Sequence, residues 1–320
     1  MYWDGEKHAY IPADGQSNTG NTDTESKDKK EKNKSKTELV QCLTQNDIQE
    51  GLSLLCKTGN GLAHAFIKLD LKKRLSNISA ISNFIHIRFL DLSNNLLSDL
   101  SPLASLTQLL WLKADRNEIQ SFRRQPFAQL TFLQWLNVAV NLLTDTGDLV
   151  GPSLETLNLI GNRIEKLSCL DGRFANLTTL ELRGNQLETT EGIYLPNLHH
   201  LYMAQNVIKH LKGLENLERL QTLHLRENQI ETLDGLNLNM RCLQYLNIRG
   251  NKVANENAIQ SLQYVSKSLQ ILVLSENPVV ESTEYRINIV MLLPNLERLD
   301  KDPVTSDERV EAKEKFKVYS

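Results

Sequence analysis

The stretch Leu154-Glu-Thr-Leu-Asn-Leu-Ile-Gly-Asn-Arg-Ile164 decides the fold, because its arrangement of leucines and asparagine returns along most of the chain. The shared frame is Leu-x-x-Leu-x-Leu-x-x-Asn-x-Leu, in which other apolar residues replace some of the leucines. Successive asparagines of this frame are separated by 21 to 26 residues. These asparagines are Asn95, Asn117, Asn141, Asn162, Asn185, Asn206, Asn228, Asn251 and Asn277.

A regular period in the range of roughly 20–29 residues predicts a leucine-rich repeat solenoid. In each repeat, the Leu-x-Leu alternation indicates a short strand with one face inward. The asparagine amide both donates and accepts, so it can pair backbone groups in the turn that follows. The sequence therefore predicts an α/β solenoid: a leucine-rich repeat array with a parallel concave sheet, an N-terminal helical cap and a C-terminal leucine-rich repeat cap.

Composition divides the chain into four segments. These are a disordered N-terminal segment (residues 1–43), a helical cap with a degenerate repeat (44–86), nine leucine-rich repeats (87–280) and a C-terminal cap with a helix (281–320). Residues 16–38 contain no large apolar side chain and cannot bury enough surface to fold alone. Within them, Lys27–Lys36 favours a solvated linker, with a nuclear signal or a contact for an acidic partner as alternatives.

The N-terminal cap is predicted from apolar spacing. Apolar residues recur at helical intervals over residues 46–57, which predicts a helix that ends before Gly59 and Gly61. Residues 69–75 then form a degenerate first repeat. Such a repeat is expected at the end of an array, where one face meets water.

Bulk properties exclude several classes of protein. The net charge of −3, from 36 basic and 39 acidic residues, implies no strong attraction to nucleic acid or membrane. No apolar run reaches the roughly 18–20 residues of a membrane helix, and the first residues lack a signal-peptide core. The scattered cysteines are interpreted as reduced thiols of an intracellular protein: Cys42, Cys56, Cys169 and Cys242.

Residues between the inward leucines are predicted to line the concave face of the sheet. Phe89, Trp111 and Trp135 fall on successive strands, roughly 5 Å apart, and exposed contiguous aromatics mark interaction sites. The alternative is that they pack under the cap or against one another. A basic, aromatic patch is predicted in the C-terminal half, with a solvated polar face as its alternative: Arg183, His200, Tyr202, His224, Arg226, Tyr245 and Arg249.

Sequence motifs for catalysis are absent. The chain has no phosphate-binding glycine loop, no nucleophile elbow and no His-Glu-x-x-His pair. His200 and His224 could approach each other on the concave face, but they lack an evident third ligand for zinc. The sequence therefore predicts no catalytic residue, no metal site and no cofactor.

Both ends of the array carry a more specific signal. Glu50-Gly-Leu-Ser-Leu-Leu-Cys-Lys-Thr-Gly-Asn-Gly-Leu-Ala-His-Ala65 precedes the repeats, and Leu296-Glu-Arg-Leu-Asp-Lys301 follows them, with Thr305 and Glu308 at capping-box spacing beyond. Over about residues 46 to 310 the chain resembles a radial-spoke-associated family of the intracellular, 22-residue leucine-rich repeat class. That class also includes a phosphatase-1 regulatory subunit, an axonemal dynein light chain and a splicing protein. The resemblance implies short 3-10 or irregular segments on the convex side.

Two departures from that family concern the ends of the chain. The long acidic stretch with which the family usually begins is missing, and the tail after the C-terminal cap is short. Tyr2-Trp-Asp-Gly-Glu-Lys-His-Ala-Tyr-Ile-Pro-Ala13 is instead similar to part of the aromatic octamer repeat of some RNA-binding splicing regulators.

The resemblance implies a non-catalytic protein-interaction scaffold, a structural component of the radial spoke of motile cilia and sperm flagella. Such a protein is made in the cytoplasm and located in the axoneme. Its partners are radial-spoke proteins, with no nucleic acid bound by the repeats and no membrane. The alternatives are a phosphatase-1 regulatory subunit, suggested by the repeat class and the tryptophans, and a nuclear splicing adaptor, suggested by Tyr2–Ala13 and Lys27–Lys36. Direct partner, cell type and oligomeric state stay open.

Overall fold

The computed structural model describes residues 41–59, 61–168 and 170–319. The predictions made for residues 1–40, among them those for Tyr2–Ala13 and Lys27–Lys36, lie outside the described residues, as does Cys169.

One strand per repeat builds the parallel sheet of the solenoid. Each strand pairs with the strand of the next repeat, and equivalent residues face each other throughout. The central leucine of each strand is buried, whereas the first residue is partly exposed. The strands are β5 (Phe89–Asp91), β6 (Trp111–Lys113), β7 (Trp135–Asn137), β8 (Thr156–Asn158), β9 (Thr179–Glu181), β10 (His200–Tyr202), β11 (Thr222–His224), β12 (Tyr245–Asn247) and β13 (Ile271–Val273).

Short segments carry the chain back from one strand to the next. Many of them are 3-10 helices, as the resemblance implied, because a repeat of this length leaves no room for a long helix. Their apolar residues join the strand leucines in one continuous buried core. The 3-10 segments are Ser79–Asn83, Ser101–Ser105, Pro126–Ala128, Gly172–Phe174, Leu214–Asn216, Asn257–Val265 and Pro278–Glu281.

The frame asparagines form a ladder of buried amides. In the middle of it, Asn185 Nδ2 donates to the carbonyls of Leu159 and Leu182, both at 3.0 Å. Its Oδ1 accepts from the backbone N–H of Ile164 at 3.0 Å. Each amide therefore joins its own repeat to the one before it. The same pattern occurs at Asn95, Asn117, Asn141, Asn162, Asn206, Asn228, Asn251 and Asn277.

The N-terminal cap is part helix and part hairpin. Its elements are β1 (Gln41–Cys42), α1 (Gln45–Gly51), β2 (Leu52–Thr58), β3 (Ala63–Asp70) and β4 (Leu75–Asn77). Strand β1 pairs in parallel with β4. Helix α1 begins with a capping box in which the Asp47 N–H donates to Thr44 Oγ1.

The helix predicted over residues 46–57 is wrong beyond Gly51. Strand β2 instead pairs antiparallel with β3, and β3 continues the repeat sheet by pairing in parallel with β5. Pairing with an existing sheet edge satisfies the backbone of residues 52–58 and overrides their helical apolar spacing. Gly59 and Gly61, expected to stop a helix, adopt positive φ in the hairpin turn.

The degenerate repeat follows directly from the hairpin. Leu69 stands in register with Leu90 of β5, and Leu69, Leu71 and Leu75 are fully buried. The first frame asparagine completes this repeat, because Asn95 Oδ1 accepts from the backbone N–H of Leu75 at 2.9 Å.

The C-terminal cap closes the array with two helices and a small hairpin. Its elements are α2 (Tyr285–Leu292), β14 (Arg298–Leu299), β15 (Asp302–Pro303) and α3 (Ser306–Tyr319). Strand β14 adds in parallel to β13, and β15 turns back antiparallel against β14. The predicted capping box at the start of α3 is present: the Glu308 N–H donates to Thr305 Oγ1, and the Thr305 N–H donates to Glu308 Oε2.

Candidate protein-interaction face

The exposed side of the parallel sheet is the face that the sequence predicted to be concave. We use "concave face" for three residues of each repeat. They are the first and third residues of each of the strands β5–β13 and the residue two positions after the end of that strand, such as Arg183 after Glu181. Side chains alternate along a strand, so burying the central leucine directs its two neighbours to this face. The repeat thus presents one row of side chains after another on a rigid sheet.

Two tryptophans are stacked at the N-terminal half of the concave face. Trp111 and Trp135 occupy the first position of β6 and β7, in register, and their ring centroids lie 4.5 Å apart with planes 7° from parallel. Phe89 precedes them in the same row on β5. Both indoles are partly exposed. The two tryptophans do pack against each other, yet their stack still forms part of the accessible face.

The N-terminal hairpin extends this apolar surface. Leu55 of β2 stands opposite Phe66 of β3, and these side chains are 59% and 43% exposed. Phe66 lies two residues before Lys68, which is in register with Phe89, so Phe66 and Phe89 lie on the same side of the sheet. Sequence reasoning missed this part because it assigned residues 46–57 to a helix. The alternation Ile67-Lys68-Leu69-Asp70-Leu71 was the signal that indicates a strand.

Three aromatic rings form a row on β10–β12. His224 lies between Tyr202 and Tyr245, with centroid distances of 6.2 Å to each. Asn247, which the sequence analysis did not select, links two of them: its Nδ2 lies 3.1 Å from Tyr245 Oη and 3.2 Å from His224 Nε2. We call Tyr202, His224 and Tyr245 the aromatic row. His200 stands beside it on β10, with Nδ1 3.2 Å from Thr222 Oγ1.

The histidines of this region are poor bases. Burial, reinforced by Arg226 and Arg183, lowers the pKa of His224 to about 4, so the ring is neutral at pH 7. Burial and the neighbouring His199 also lower the pKa of His200. A neutral His224 is consistent with Nε2 acting as the acceptor for the Asn247 amide.

The arginines of the predicted basic patch are accompanied by acidic residues. Arg226 Nη2 lies 2.7 Å from a carboxylate oxygen of Glu227, and Arg249 Nη2 lies 2.5 Å from one of Glu276. Arg183 Nε donates to Gln205 Oε1 at 2.8 Å. Gln205 in turn donates to Glu227. Two of the three arginines of the patch are therefore paired with carboxylates, and the third is hydrogen-bonded to a neutral amide. The two glutamates come from different places: Glu227 directly follows Arg226, whereas Glu276 belongs to the repeat after that of Arg249.

Glu181 is the other residue that sequence reasoning did not select. It is the third residue of β9, in register between Asn158 and Tyr202. Burial raises its pKa to about 7, and attraction to Arg183 only partly offsets that effect. The sequence contained a signal for it. Among the C-terminal repeats, Glu181 is the one carboxylate at the position between the second and third leucines of the frame.

Other classes of site have little support in the described residues. Within residues 41–59, 61–168 and 170–319, no three His, Cys, Asp or Glu side chains come together in a way that could hold a metal ion. Every helix of that part is too short or too polar to cross a bilayer. Cys42, Cys56 and Cys242 are free thiols.

Comparison with known proteins identifies the family. The chain is 48% identical to human leucine-rich repeat-containing protein 23 over 272 residues, which are 84% of this chain and 78% of the human protein. The chain belongs to the leucine-rich repeat-containing protein 23 family. The bovine member is also 48% identical, over 85% of this chain and 79% of its own length. A family profile described as leucine-rich repeat matches residues 178–320.

Solved structures show the same architecture at lower sequence identity. An internalin from Listeria monocytogenes superimposes with a TM-score of 0.50 at 22% identity, covering 78% of this chain and 87% of the internalin. This likeness concerns the fold alone. Together with the parallel sheet, it establishes that this leucine-rich repeat-containing protein 23 family member is a leucine-rich repeat solenoid, a fold that serves protein–protein interaction.

Proposed function

We propose that this protein is a non-catalytic scaffold of the radial spoke of motile cilia and sperm flagella, where its concave face holds another protein. The observation that carries the interaction is the pair of stacked, partly exposed tryptophans on a rigid sheet, beside the aromatic row. Exposed aromatics that keep a fixed geometry are the side chains that most often dominate protein interfaces.

The location in the spoke is supported by family membership. The caps and repeats resemble the radial-spoke-associated family, and the identity with its members extends over 84% of the chain. The segment Glu50–Ala65 of the N-terminal cap carries the more specific part of this resemblance. It therefore favours the spoke over the phosphatase-regulatory and splicing alternatives.

The chemistry of the face favours binding over catalysis. His224 is a weak base because its pKa is about 4, and its Nε2 faces the amide of Asn247. Asp91 and Asp115 are near lysines: Lys72 Nζ lies 2.9 Å from Asp91 and Lys113 Nζ lies 3.6 Å from Asp115. What the face offers a partner is apolar contact, ring stacking and ion pairing.

Immunofluorescence of the endogenous protein in sperm and in multiciliated cells tests the location. The cells are co-stained for a spoke-head component. We expect signal along the axoneme that coincides with the spoke marker. Diffuse cytoplasmic or nuclear signal in both cell types would reject the spoke role and direct attention to phosphatase and splicing partners.

A further inference from the structure

A shallow trough lies between the two aromatic parts of the concave face. We call Thr156, Asn158, Thr179 and Glu181, which are the partly exposed residues of β8 and β9, the central trough. Trp135 borders it on β7, and His200 and Tyr202 border it on β10, all in register. Since neighbouring strands lie about 4.8 Å apart, the rows of Trp135 and His200 are separated by about 14 Å. The threonine and asparagine side chains of the floor are shorter than the rings on both sides, which leaves room for a chain segment.

The trough contains a carboxylate that lacks a partner. Within residues 41–59, 61–168 and 170–319, the Glu181 side chain has no hydrogen bond or ion pair, although Arg183 attracts it at longer range. One neighbour in its row is the neutral amide of Asn158, and the other is the ring of Tyr202. A partly buried carboxylate without a partner is costly, so a cation placed beside it gains more than it would at an open surface.

The nearby positive charges do not supply that cation. Arg226 is paired with Glu227 and Arg249 with Glu276, while Arg183 directs its Nε to Gln205. For the same reason, an acidic partner would have to displace Glu227 and Glu276 before it could pair with Arg226 and Arg249. Charge complementarity on this face therefore favours a basic ligand.

We propose that the central trough binds a protein segment that carries an arginine or lysine and, several positions away, an apolar residue. The cation lies between the Glu181 carboxylate and the Tyr202 ring, on the side of that ring away from His224. The apolar side chain packs on the indole of Trp135. A guanidinium or ammonium gains both from ion pairing with a carboxylate and from stacking on an aromatic face. This inference rests on the proposed role as a protein-binding scaffold and specifies the chemistry of the partner.

The two contacts set a spacing. Trp135 and Glu181 lie two strands apart and two residues apart along the strand direction, which together is about 12 Å. The basic and apolar residues of the ligand are then about three to four positions apart in an extended segment, or about eight positions apart in an α-helix, which rises about 1.5 Å per residue.

Selection from a phage-displayed random-peptide library against the purified full chain tests the proposal. We expect enriched peptides to combine an arginine or lysine with an apolar residue at one of these spacings. For a selected peptide, Glu181→Gln should weaken binding by about tenfold, and replacing the peptide's basic residue by glutamine should do the same. The two changes together should cost little more than either alone, as expected for groups that contact each other.

Glu188→Gln is the matched control, because it removes an exposed carboxylate outside the strands. It should leave peptide affinity unchanged, and circular dichroism should show that both variants fold. Enrichment of acidic peptides, of peptides without a basic residue, or of no peptide at all would overturn the proposal. Equal affinities for the Glu181→Gln and Glu188→Gln variants would do so too.

The peptide experiment separates this inference from the spoke role. It uses purified protein, so its outcome does not depend on where the protein is located in the cell. If the protein stains the axoneme but selects acidic peptides, the spoke role is retained and the basic ligand is rejected. If the protein stains the nucleus but selects basic peptides, the basic ligand is retained and the spoke role is rejected.

Discussion

The indole rings of Trp111 and Trp135 are stacked on neighbouring strands, with centroids 4.5 Å apart and planes 7° from parallel. Cross-strand ring pairs of this kind stabilise a sheet modestly, by about 0.5–1.5 kcal/mol beyond the area they bury. Stacking also fixes the side-chain rotamers before any partner arrives. The pair is thus preorganised, which reduces the entropy lost when a partner binds.

Replacing both tryptophans by alanine should abolish most partner capture from flagellar extracts. Aromatic anchors at the centre of an interface cost about 2 kcal/mol or more when truncated, which is roughly a 30-fold loss of affinity. Capture is measured by quantitative mass spectrometry on the immobilised chain. Phe132→Ala is the matched control, because Phe132 is 53% exposed in the turn that precedes Leu133 and not in a strand. Equal losses for the two proteins would place the binding surface elsewhere.

Asn185→Ala should destabilise the array strongly for a single polar substitution. The change leaves the N–H of Ile164 without its buried acceptor, and the carbonyls of Leu159 and Leu182 each lose one of two amide donors. A buried group left unpaired costs about 1–3 kcal/mol, so we expect a loss of about 1–3 kcal/mol in the free energy of unfolding. Urea titration followed by circular dichroism measures it.

Asn176→Ala provides the comparison for the ladder. Its Nδ2 also donates to a carbonyl of the preceding repeat, that of Pro152 at 3.0 Å, but the side chain is exposed. Water replaces that hydrogen bond, so this change should stay within about 0.5 kcal/mol. Similar losses for the two substitutions would show that burial is not what gives the ladder its effect.

Glu181→Gln should change how stability depends on pH. Burial raises the pKa of Glu181 to about 7 from its ordinary 4.5, so between these values the folded chain holds a proton that the unfolded chain has released. Stability from this group therefore falls as pH rises from 4.5 to 7, by at most about 1.4 kcal/mol per pH unit. Glutamine removes the dependence, so the variant should be the more stable protein at pH 8.

His224 contributes in the opposite direction over part of this range. Its pKa is lowered to about 4 from 6.5, so its contribution to stability is present above pH 6.5 and is lost as pH falls toward 4. The difference between the unfolding free energies of the parent and the Glu181→Gln variant cancels this contribution. That difference should widen from pH 5 to pH 7 and then stay constant. A difference that does not change with pH would contradict the environment described for Glu181.

The repeats were predictable because local pattern and tertiary structure agree in them. A leucine such as Leu157 faces the core in any stack of this frame, and Asn162 has one place where its amide meets backbone groups. The 23-residue separation of Asn162 and Asn185 similarly places their strands side by side. Because the pattern repeats, each repeat confirms the assignment of its neighbours.

The cap and the charge of the site were less predictable for a physical reason. Residues 52–58 have helical apolar spacing, but the open edge of β3 offers backbone pairing that no local pattern reveals. Aligned repeats show that the arginines share one position of the frame, but they do not show which side chains contact them. Glu227 reaches Arg226 because its left-handed backbone conformation brings its side chain back. The same limit applies to Glu181, whose environment depends on Asn158 and Tyr202 from two other repeats.

The last prediction concerns the C-terminal end of the sheet, where a side-chain carboxylate accepts backbone hydrogen bonds that a backbone carbonyl of the next repeat accepts elsewhere in the array. The N–H of Ile248 donates to the carbonyl of Val273 in the following repeat. At the end of the array the equivalent N–H, that of Leu274, donates instead to Asp300 Oδ1 at 2.8 Å, and the N–H of Ser275 does so at 2.7 Å. Tyr285 Oη donates to the other carboxylate oxygen at 2.9 Å.

Asp300→Ala should therefore fray the sheet from this end. Two N–H groups and a hydroxyl lose their acceptor, which predicts a cost of about 2 kcal/mol or more and faster amide hydrogen exchange at Leu274 and Ser275. Asp300→Asn keeps one carbonyl oxygen and should retain most of the protection. Asp302→Ala, at an exposed position of β15, should change neither quantity. Since each repeat contacts only its neighbours, the loss should stay local, and uniform exchange along the array would show that Asp300 is not its terminal cap.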